Sequence, residues 1–391
     1  MTLADLDLQA IRQKILSAYH ADDPLLEKFR RYAQMLSANV RPLKRHSINS
    51  VAFVASDGGD NRLVFNPASI ELVRVADSRG IECALDVIAS SSTPQEIDKR
   101  GRTDGSEAVR PLVRLCTDLR TSVSGLSDLV LGMGQPGKSV GAMRAYRDIV
   151  EWAVLYDLIC DPQLQWGSDT ILVREGLLRS VSFKRSVFPL IDQRIREGVA
   201  AQKRRNIDVS IVGVAKQNAV LGRLAVALEL EGTFHKNFPC YAEVPREIEA
   251  DCYNYERDWL ETLETLVGSE AGPETTAGNY RSMGRLFLVK FGDRPMDPVW
   301  PVDVASWQIG EAARILGQLT GDAQQGFPIP DFPMSIQRAH EHAKLSGMEI
   351  KVLQDALLQG VASTLSPEEA ERLFRFDYLG RSLAGLRYKE S

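Results

Sequence analysis

A run of five apolar residues, 51–55, most strongly constrains what this chain can fold into. A short, continuous apolar run is typical of a strand that is buried on both faces of a sheet. Asp57 soon follows, and then Gly58 and Gly59, which we interpret as the end of the strand because glycine allows a sharp turn or a close approach. We therefore expect Asp57 at the carboxyl end of a central strand, where open α/β sheets place their ligands. An ordinary aspartate in a surface turn is the alternative.

The composition indicates a folded protein that lacks an overall basic surface. Of the 391 residues, 44% are hydrophobic, and the formal net charge is −5. The chain is long enough for a substantial core, and its length predicts two or three domains or one large domain with insertions. The net charge argues against a uniformly basic nucleic-acid coat, but a local basic groove is compatible with it.

The cysteines and the N-terminal residues bear on the compartment in which we expect the protein. Five widely spaced cysteines without a C-x-x-C pair indicate reduced thiols rather than a disulfide frame or a structural zinc site. The first residues are acidic and polar, unlike a signal peptide. No apolar run approaches the roughly 18 residues that a membrane helix needs. We expect a soluble, cytoplasmic protein without a membrane partner.

Two further carboxylates occur in settings that resemble that of Asp57. Glu151 lies among the apolar residues of a helix predicted over 140–160. An acidic residue near an apolar face is rarely fully buried unless it is paired or bound to a cation. Glu175 ends a second short apolar strand, and Gly176 follows it as glycine follows Asp57. For Glu151, the alternative is a place at the helix edge with its carboxylate in solvent.

Three carboxylates that leave coordination positions open suit hard cations such as Mg²⁺ or Mn²⁺. The chemistry that needs such a cluster is phosphodiester hydrolysis, in which metal ions generate the attacking hydroxide and neutralise the leaving oxygen. Lys216 comes at the end of another buried strand, predicted over 209–216. We interpret it as a contact to a scissile phosphate or to one of the acidic residues, and simple exposure past the strand end is the alternative.

The other predicted elements alternate between strands and helices. His340 and His342 lie two residues apart on a predicted helix, which is not the i, i+4 spacing of a zinc helix. The predicted elements are two helices within 1–47, an antiparallel meander over 51–92 in which strands over 62–66, 70–76 and 81–88 follow the Asp57 strand, helices over 106–122, 184–205, 221–230, 247–267 and 305–319, a loop over 269–278, strands over 285–291 and 299–304, and a helical C-terminal tail.

Residues 132–139, GMGQPGKS, match the P-loop pattern G-x-x-x-x-G-K-[ST]. In a P-loop, backbone amides and the lysine cradle phosphates, and the serine hydroxyl reaches Mg²⁺. The strand that would precede the loop spans only 129–131, and several predicted strands come before it, whereas a P-loop usually opens its domain. A glycine-rich loop with Ser139 as the helix N-cap is the other interpretation. A P-loop nucleotide-binding protein that uses Lys138 and Ser139 is thus the alternative function.

The order of five short motifs resembles the NurA nuclease family over roughly residues 48–350. Each motif is weak alone, and their joint order carries the resemblance. The motifs are 56–59 (SDGG), 147–151 (RDIVE), 172–176 (LVREG), 212–216 (VGVAK) and 332–340 (FPMSIQRAH).

The resemblance implies an α/β fold with an RNase H-like mixed sheet flanked by helices, an N-terminal helical arm and C-terminal helices. It also implies a Mn²⁺- or Mg²⁺-dependent deoxyribonuclease, a homodimer that acts on DNA with a hexameric HerA-type translocase in end processing or phage defence. Carried over by position, Asp57, Glu151 and Glu175 resemble the metal-binding catalytic carboxylates. Lys216 and His340 then correspond to catalytic residues near the scissile phosphate.

The chain departs from the family pattern at two of these positions. Glu175 stands where the family usually has aspartate, which keeps the charge but adds a methylene group and changes the metal spacing. Phe332 stands where the family often has tyrosine, which removes a hydroxyl contact. The resemblance also weakens the P-loop interpretation, because ATP hydrolysis in such systems belongs to the translocase. A catalytically weak module that mainly docks a translocase is a third hypothesis.

The resemblance and the element pattern together predict three regions. We expect residues 1–47 to form the N-terminal helical arm and residues 48–350 to form the nuclease domain, with helical insertions at about 177–208 and 231–283. We expect residues 351–391 to form a C-terminal helical docking segment.

Overall fold

The computed structural model of the chain describes most of the predicted nuclease region and parts of both ends. Most of the first N-terminal helix, the end of the helix predicted over 247–267 and the loop predicted over 269–278 lie outside the described residues. Those residues are 11–14, 23–46, 51–65, 68–102, 109–135, 137–164, 166–254 and 281–382.

The strands fall into two groups along the chain, separated by helices. They are β1 (Arg41–Pro42), β2 (Val51–Phe65), β3 (Ala68–Asp77), β4 (Glu82–Ala89), β5 (Asp169–Glu175), β6 (Arg179–Ser180), β7 (Val209–Val214), β8 (Cys240–Glu243), β9 (Arg281–Ser282), β10 (Gly284–Lys290) and β11 (Val299–Ala305).

The helices connect the strands and continue to the C-terminal side of the sheet. Short 3-10 helices span Leu129–Gly132 and Ser306–Glu311. The α-helices are α1 (Asp23–Ala38), α2 (Pro94–Arg100), α3 (Arg110–Asp118), α4 (Val123–Leu126), α5 (Ser139–Cys160), α6 (Phe188–Lys203), α7 (Ala219–Leu230), α8 (Arg246–Asn254), α9 (Ala312–Ala323), α10 (Met334–Ala343), α11 (Gly347–Ala362) and α12 (Pro367–Ser382). None of the described helices is long and apolar enough to cross a membrane.

Side-chain caps explain where several helices begin. Thr93 and Glu96 form a reciprocal capping box at the start of α2, and Ser346 and Glu349 form another at α11. The Asn218 side chain accepts a hydrogen bond from the backbone at the start of α7. Each cap satisfies a backbone N–H that has no partner within its own helix. These helix starts are therefore encoded locally.

The main sheet has nine strands in the order β1-β8-β10-β11-β7-β5-β2-β3-β4. The strands β2, β3 and β4 form an antiparallel meander, and β2, β5 and β7 are parallel. This five-strand arrangement confirms the RNase H-like mixed sheet. The antiparallel meander is confirmed as well, but the separate strand predicted over 62–66 was wrong, because residues 62–65 continue β2. The remaining strands extend the sheet beyond β7 by antiparallel pairing.

Strand β2 continues past the point at which we expected it to end. Its parallel pairing with β5 stops at Ser56, opposite Arg174, whereas its antiparallel pairing with β3 runs on to Phe65. The predicted turn at Gly58 was therefore wrong, because the β3 ladder supplies hydrogen bonds that keep the strand extended. Asp57 nevertheless lies at the first position beyond the end of the parallel pairing with β5.

Both faces of the central strands are buried, as the apolar run predicted. Leu172 of β5 packs in a cluster with Trp152 of α5. The next residue, Val173, packs in a second cluster with Ala339 of α10 on the opposite face. Successive side chains of a strand point to opposite faces, so α5 and α10 cover β5 from two sides.

The end of the sheet remote from β4 is covered by the predicted second N-terminal helix. Phe29 and Leu36 of α1 pack in one cluster with Leu224 and Leu228 of α7. The short strand β1 pairs with β8, at the other end of the strand order from β4. The helix predicted after residue 24 is therefore confirmed as α1, and it packs against α7 at this end of the sheet.

The segment that resembles a P-loop has a different local structure. Residues Leu129–Gly132 form a 3-10 helix, so the strand predicted before the loop was wrong. Lys138 precedes α5 without a side-chain cap, and the Ser139 hydroxyl donates to the Gln135 carbonyl at 3.0 Å. Ser139 is consequently not an N-cap, and the described part of this segment lacks the strand–loop–helix unit of a P-loop.

Short elements account for most other differences from the predicted pattern. The strands β6, β8 and β9 were missed, because runs of two to four residues are too short to show a period. The helix predicted over 305–319 begins as a 3-10 helix and becomes α9 only at Ala312. The strands predicted over 285–291 and 299–304 are confirmed as β10 and β11.

A buried ion pair fixes the chain that follows β5. Asp303 of β11 is fully buried, and its Oδ1 lies 2.6 Å from Nη2 of Arg179 on β6. Its Oδ2 accepts the backbone N–H of Leu178 at 3.0 Å. Glu249 of α8 is the second carboxylate that pairs with Arg179. The segment after Glu175 is therefore tied to the sheet by one carboxylate.

We expect Asp303→Ala to lower the free energy of unfolding by about 3–5 kcal/mol, because a buried guanidinium then loses a partner. The control is Glu243→Ala, which breaks a pair whose side chains are 40% and 35% exposed, Glu243 and Arg285. That change should cost at most about 1 kcal/mol. Chemical denaturation followed by circular dichroism measures both, and equal losses would contradict the anchoring role of Asp303.

Candidate active site

Three predicted site residues meet where β2 parts from β5. Nδ1 of His340 lies 2.6 Å from Oδ2 of Asp57 and 3.9 Å from Oε2 of Glu175. Asp57, Glu175 and His340 each offer one potential ligand atom, and these three atoms lie within 4.8 Å of one another. Asp57 is buried, and the His340 side chain is 47% exposed. The structure therefore brings two carboxylates and an imidazole together at an accessible point.

The packing of α10 on the sheet sets the position of His340. Ile336 and Ala339 of this helix are fully buried in the cluster that contains Ala55 and Val173. The first turn of the helix is held by Asp322, whose carboxylate accepts the Ser335 hydroxyl at 2.6 Å. The last turn then carries His340 over the end of β5.

Lys216 engages one oxygen of Glu175 and leaves the other for a different partner. The Lys216 ammonium lies 2.7 Å from Oε1 of Glu175 and 5.7 Å from the centre of the Phe332 ring. Oε2 of Glu175 is buried and has no hydrogen-bond partner. A buried carboxylate oxygen is costly without a partner, and a cation bound between Asp57 and Glu175 would supply one. Two carboxylates with an imidazole are a suitable donor set for such an ion.

Glu151 reaches the same region from α5, on the other face of the sheet. A Cβ atom on Gly58 would lie only 2.3 Å from Oε1 of Glu151, so only glycine leaves room for this carboxylate. Oε2 lies 3.3 Å from Arg174, and Oε1 lies 3.7 Å from Arg147. Glu151 thus lies beside the residue next to Asp57, while its carboxylate faces two arginines.

Burial and crowding of negative charge raise the pKa values of the two glutamates. Burial raises the pKa of Glu151 to about 8, against the opposing charge of Arg174. Burial and then the charge of Asp57 raise the pKa of Glu175 to about 7, although Lys216 acts in the opposite direction. The hydrogen bond to Asp57 raises the pKa of His340. A metal ion bound by these groups would therefore compete with protons near neutral pH.

The sequence analysis missed two residues that hold the site in place. Arg174 of β5 is buried, and its Nη2 lies 2.7 Å from Oδ1 of Asp148 on α5. The Ser180 hydroxyl donates to the other oxygen of Asp148 at 2.5 Å. An arginine inside an otherwise apolar strand was the available signal, because a buried arginine needs an acidic partner.

Asp57, Glu175 and His340 thus form a group that could hold a metal ion. A scan of protein-family models and a search of curated proteins find no match. The NurA nuclease from Sulfolobus solfataricus is a similar solved structure, with 13% identity, a TM-score of 0.40 and coverage of 92% of this chain and 99% of that chain. A NurA bound to dAMP and manganese has 13% identity and a TM-score of 0.37, covering 95% and 99% of the respective chains. The chain resembles NurA nucleases.

We expect the affinity for Mn²⁺ to rise from about pH 6 to about pH 8.5, because the carboxyl groups must lose their protons to bind a metal. Glu175, with a pKa of about 7, and Glu151, with a pKa of about 8, are ionised progressively over this interval. The raised pKa of His340 acts in the same direction, since only the neutral imidazole binds a metal.

Isothermal titration calorimetry in two buffers of different ionisation enthalpy measures both the affinity and the protons released. Glu175→Gln should release fewer protons near pH 7 than the wild type. A Mn²⁺ affinity that does not change with pH would rule out these groups as the competing sites.

Proposed function

We propose that this protein is a metal-dependent nuclease that hydrolyses phosphodiester bonds of DNA. The observation that carries the proposal is the convergence of Asp57, Glu175 and His340, with one oxygen of Glu175 buried and without a hydrogen bond. The motif order shared with the NurA family supports DNA as the substrate. The mild negative net charge fits a substrate gripped in a local groove rather than by the whole surface.

We assign the cation to Asp57 and Glu175, with Glu151 as the third carboxylate that reaches the site past Gly58. His340 lies near enough to Asp57 and Glu175 to add a nitrogen donor to the cation. The resemblance also implies a position near the scissile phosphate for His340. Carboxylates suit Mn²⁺ and Mg²⁺, and an imidazole donor favours the transition metal. When bound, the metal would activate water and neutralise negative charge on the leaving oxygen.

Lys216 is the residue we assign to the charge of the reacting phosphate. Its side chain is 41% exposed, and its ammonium is held by Glu175 on one side and by the ring of Phe332 on the other. A cation fixed in advance stabilises the negative charge that develops in the transition state. Without a cation, the hydrogen bond between Asp57 and Nδ1 of His340 orients both groups, and a cation bound to Nδ1 would replace that hydrogen bond.

We expect Asp57→Asn to reduce Mn²⁺-dependent cleavage of end-labelled DNA by at least about 100-fold, more than the loss of an outer partner of a metal site costs. The carboxamide keeps the size of the side chain but removes the charge that holds the cation. Glu243→Gln on β8 is the matched control, because its carboxylate pairs with Arg285 outside the site. Substantial cleavage by Asp57→Asn, with normal folding by circular dichroism, would refute the assignment.

We expect Lys216→Met to lower kcat by about 100-fold, as the loss of one preorganised group in a transition-state site does. Because Lys216 lowers the pKa of Glu175, the variant should also bind Mn²⁺ more weakly at neutral pH. Raising the pH should restore the metal affinity but not kcat. The control is Lys184→Met, whose ammonium pairs with Asp128 elsewhere. Recovery of kcat at high pH would limit Lys216 to tuning Glu175.

The resemblance also leads us to propose a homodimer that works with a hexameric HerA-type translocase in DNA end processing or phage defence. Analytical ultracentrifugation of the purified chain tests the dimer. Digestion of linear duplex DNA with and without the translocase and ATP tests the partnership. Cleavage that is unaffected by the translocase would restrict the proposal to the nuclease itself.

A further inference from the structure

We propose that Arg174 is a positioning residue that sets the carboxylate of Glu151 and the chain segment just after Glu175. The proposal rests on the nuclease function proposed for the same site. Arg174 precedes Glu175 in β5, and its side chain points to the opposite face of the sheet, towards α5. It is therefore close to the site without being one of the assigned metal ligands.

Arg174 is held rigidly before any ligand binds. Its side chain is only 8% exposed, and its guanidinium lies 4.9 Å from the ring centre of Trp152. Trp152 is fully buried in the cluster beneath α5 and packs edge-on against Phe183 and Phe188. A planar guanidinium stacked on a fixed ring offers its N–H groups in a set plane.

The guanidinium contacts three acceptors that belong to two parts of the site. Nη2 lies 2.7 Å from Oδ1 of Asp148 and 3.3 Å from Oε2 of Glu151, both on α5. Nη1 donates to the carbonyl of Leu177 at 3.1 Å. Arg174 thus links the helix that carries one assigned carboxylate to the chain that follows the other.

The glycine after Glu175 makes this link sterically feasible. Gly176 has a φ of 94°, a conformation that residues with a side chain rarely adopt. A Cβ atom at this position would lie 2.5 Å from Nη1 of Arg174. The guanidinium of Arg174 therefore packs directly against the turn that follows Glu175.

Lysine does not reproduce these contacts, although it keeps the charge. An ammonium carries its N–H donors on one nitrogen, whereas the guanidinium spreads its donors over a planar fork. The fork therefore reaches the two carboxylates and the carbonyl at once. Loss of the fork should leave Glu151 free to turn away from Gly58 while the net charge stays unchanged. Arg174→Lys therefore isolates the geometric role from the electrostatic one.

The test is a double-mutant cycle on Mn²⁺ binding by the full chain, measured by isothermal titration calorimetry at pH 8. The proteins are the wild type, Arg174→Lys, Glu151→Gln and the double variant. We expect Arg174→Lys to weaken Mn²⁺ binding by about 10- to 100-fold, the usual effect of losing an outer partner of a metal ligand. In the Glu151→Gln background the same change should have a smaller effect, because one of the two parts of the site that Arg174 positions is already lost.

The matched control is Arg196→Lys, which should leave Mn²⁺ binding unchanged. Arg196 also stacks on a tryptophan, at 4.4 Å from the ring centre of Trp307, and its Nη2 lies 2.7 Å from Asp192. It thus repeats the stacked and paired environment outside the site. If Arg174→Lys does not fold, Asp148→Ala removes the closest acceptor of the same guanidinium and takes its place in the cycle.

Cleavage kinetics supply a second readout. We expect the Mn²⁺ concentration for half-maximal activity to rise in Arg174→Lys, while the KM for DNA stays within about twofold, because Arg174 makes no assigned DNA contact. Unchanged Mn²⁺ binding in Arg174→Lys, or effects that multiply fully in the double variant, would overturn the positioning role. A wild type that neither binds Mn²⁺ nor cleaves DNA would instead overturn the proposed function, and this proposal with it.

Discussion

The structure depends on how negative charge is accommodated where β2 parts from β5. Asp57 and Glu175 meet there from neighbouring strands, and Glu151 approaches from α5. Ionised carboxylates this close repel each other, and burial disfavours their charged forms further. The raised pKa values of Glu151 and Glu175 record this cost. Basic side chains around the site limit this cost by pairing with the carboxylates.

Those cations are distributed on both faces of the sheet. Lys216 pairs with Glu175 on the face covered by α10, and Arg174 pairs with Glu151 on the face covered by α5. Neither cation contacts all the carboxylates, so the negative charge is only partly offset. A group of carboxylates whose negative charge is only partly offset attracts a divalent ion. The proposed reaction requires such an ion.

The sequence revealed those parts of the fold that depend on local pattern. The strands β2, β5 and β7 were predicted because each contains a short apolar run, and β3 and β4 because apolar and β-branched residues lie between turn signals. The helix α5 was predicted because apolar residues recur along its length. The end of β2 was misjudged at Gly58, because a strand continues wherever a neighbour pairs with it, and the pairing with β3 is not visible in residues 56–60. Gly58 instead leaves space for the side chain of Glu151 from α5.

The candidate site shows the same division between local and non-local information. Asp57, Glu175 and Lys216 were found because each follows a predicted strand, and neighbouring strands bring their ends together. Arg174 was missed because its acidic partners, Asp148 and Glu151, become its neighbours only after α5 has packed on the sheet. No motif spacing encodes that contact, which depends on the angle between a helix and a strand.

The two departures from the family pattern can be understood from contacts in this chain. Glu175 is longer than aspartate, and it extends past the end of β5 to place one oxygen on Lys216 while the other faces Asp57 and His340. Phe332 lacks the tyrosine hydroxyl, but its buried ring lies 4.9 Å from that of Trp300 and faces the Lys216 ammonium. A cation–π contact uses the ring face and needs no hydroxyl. The longer carboxylate and the plain ring therefore contact the same lysine from two sides.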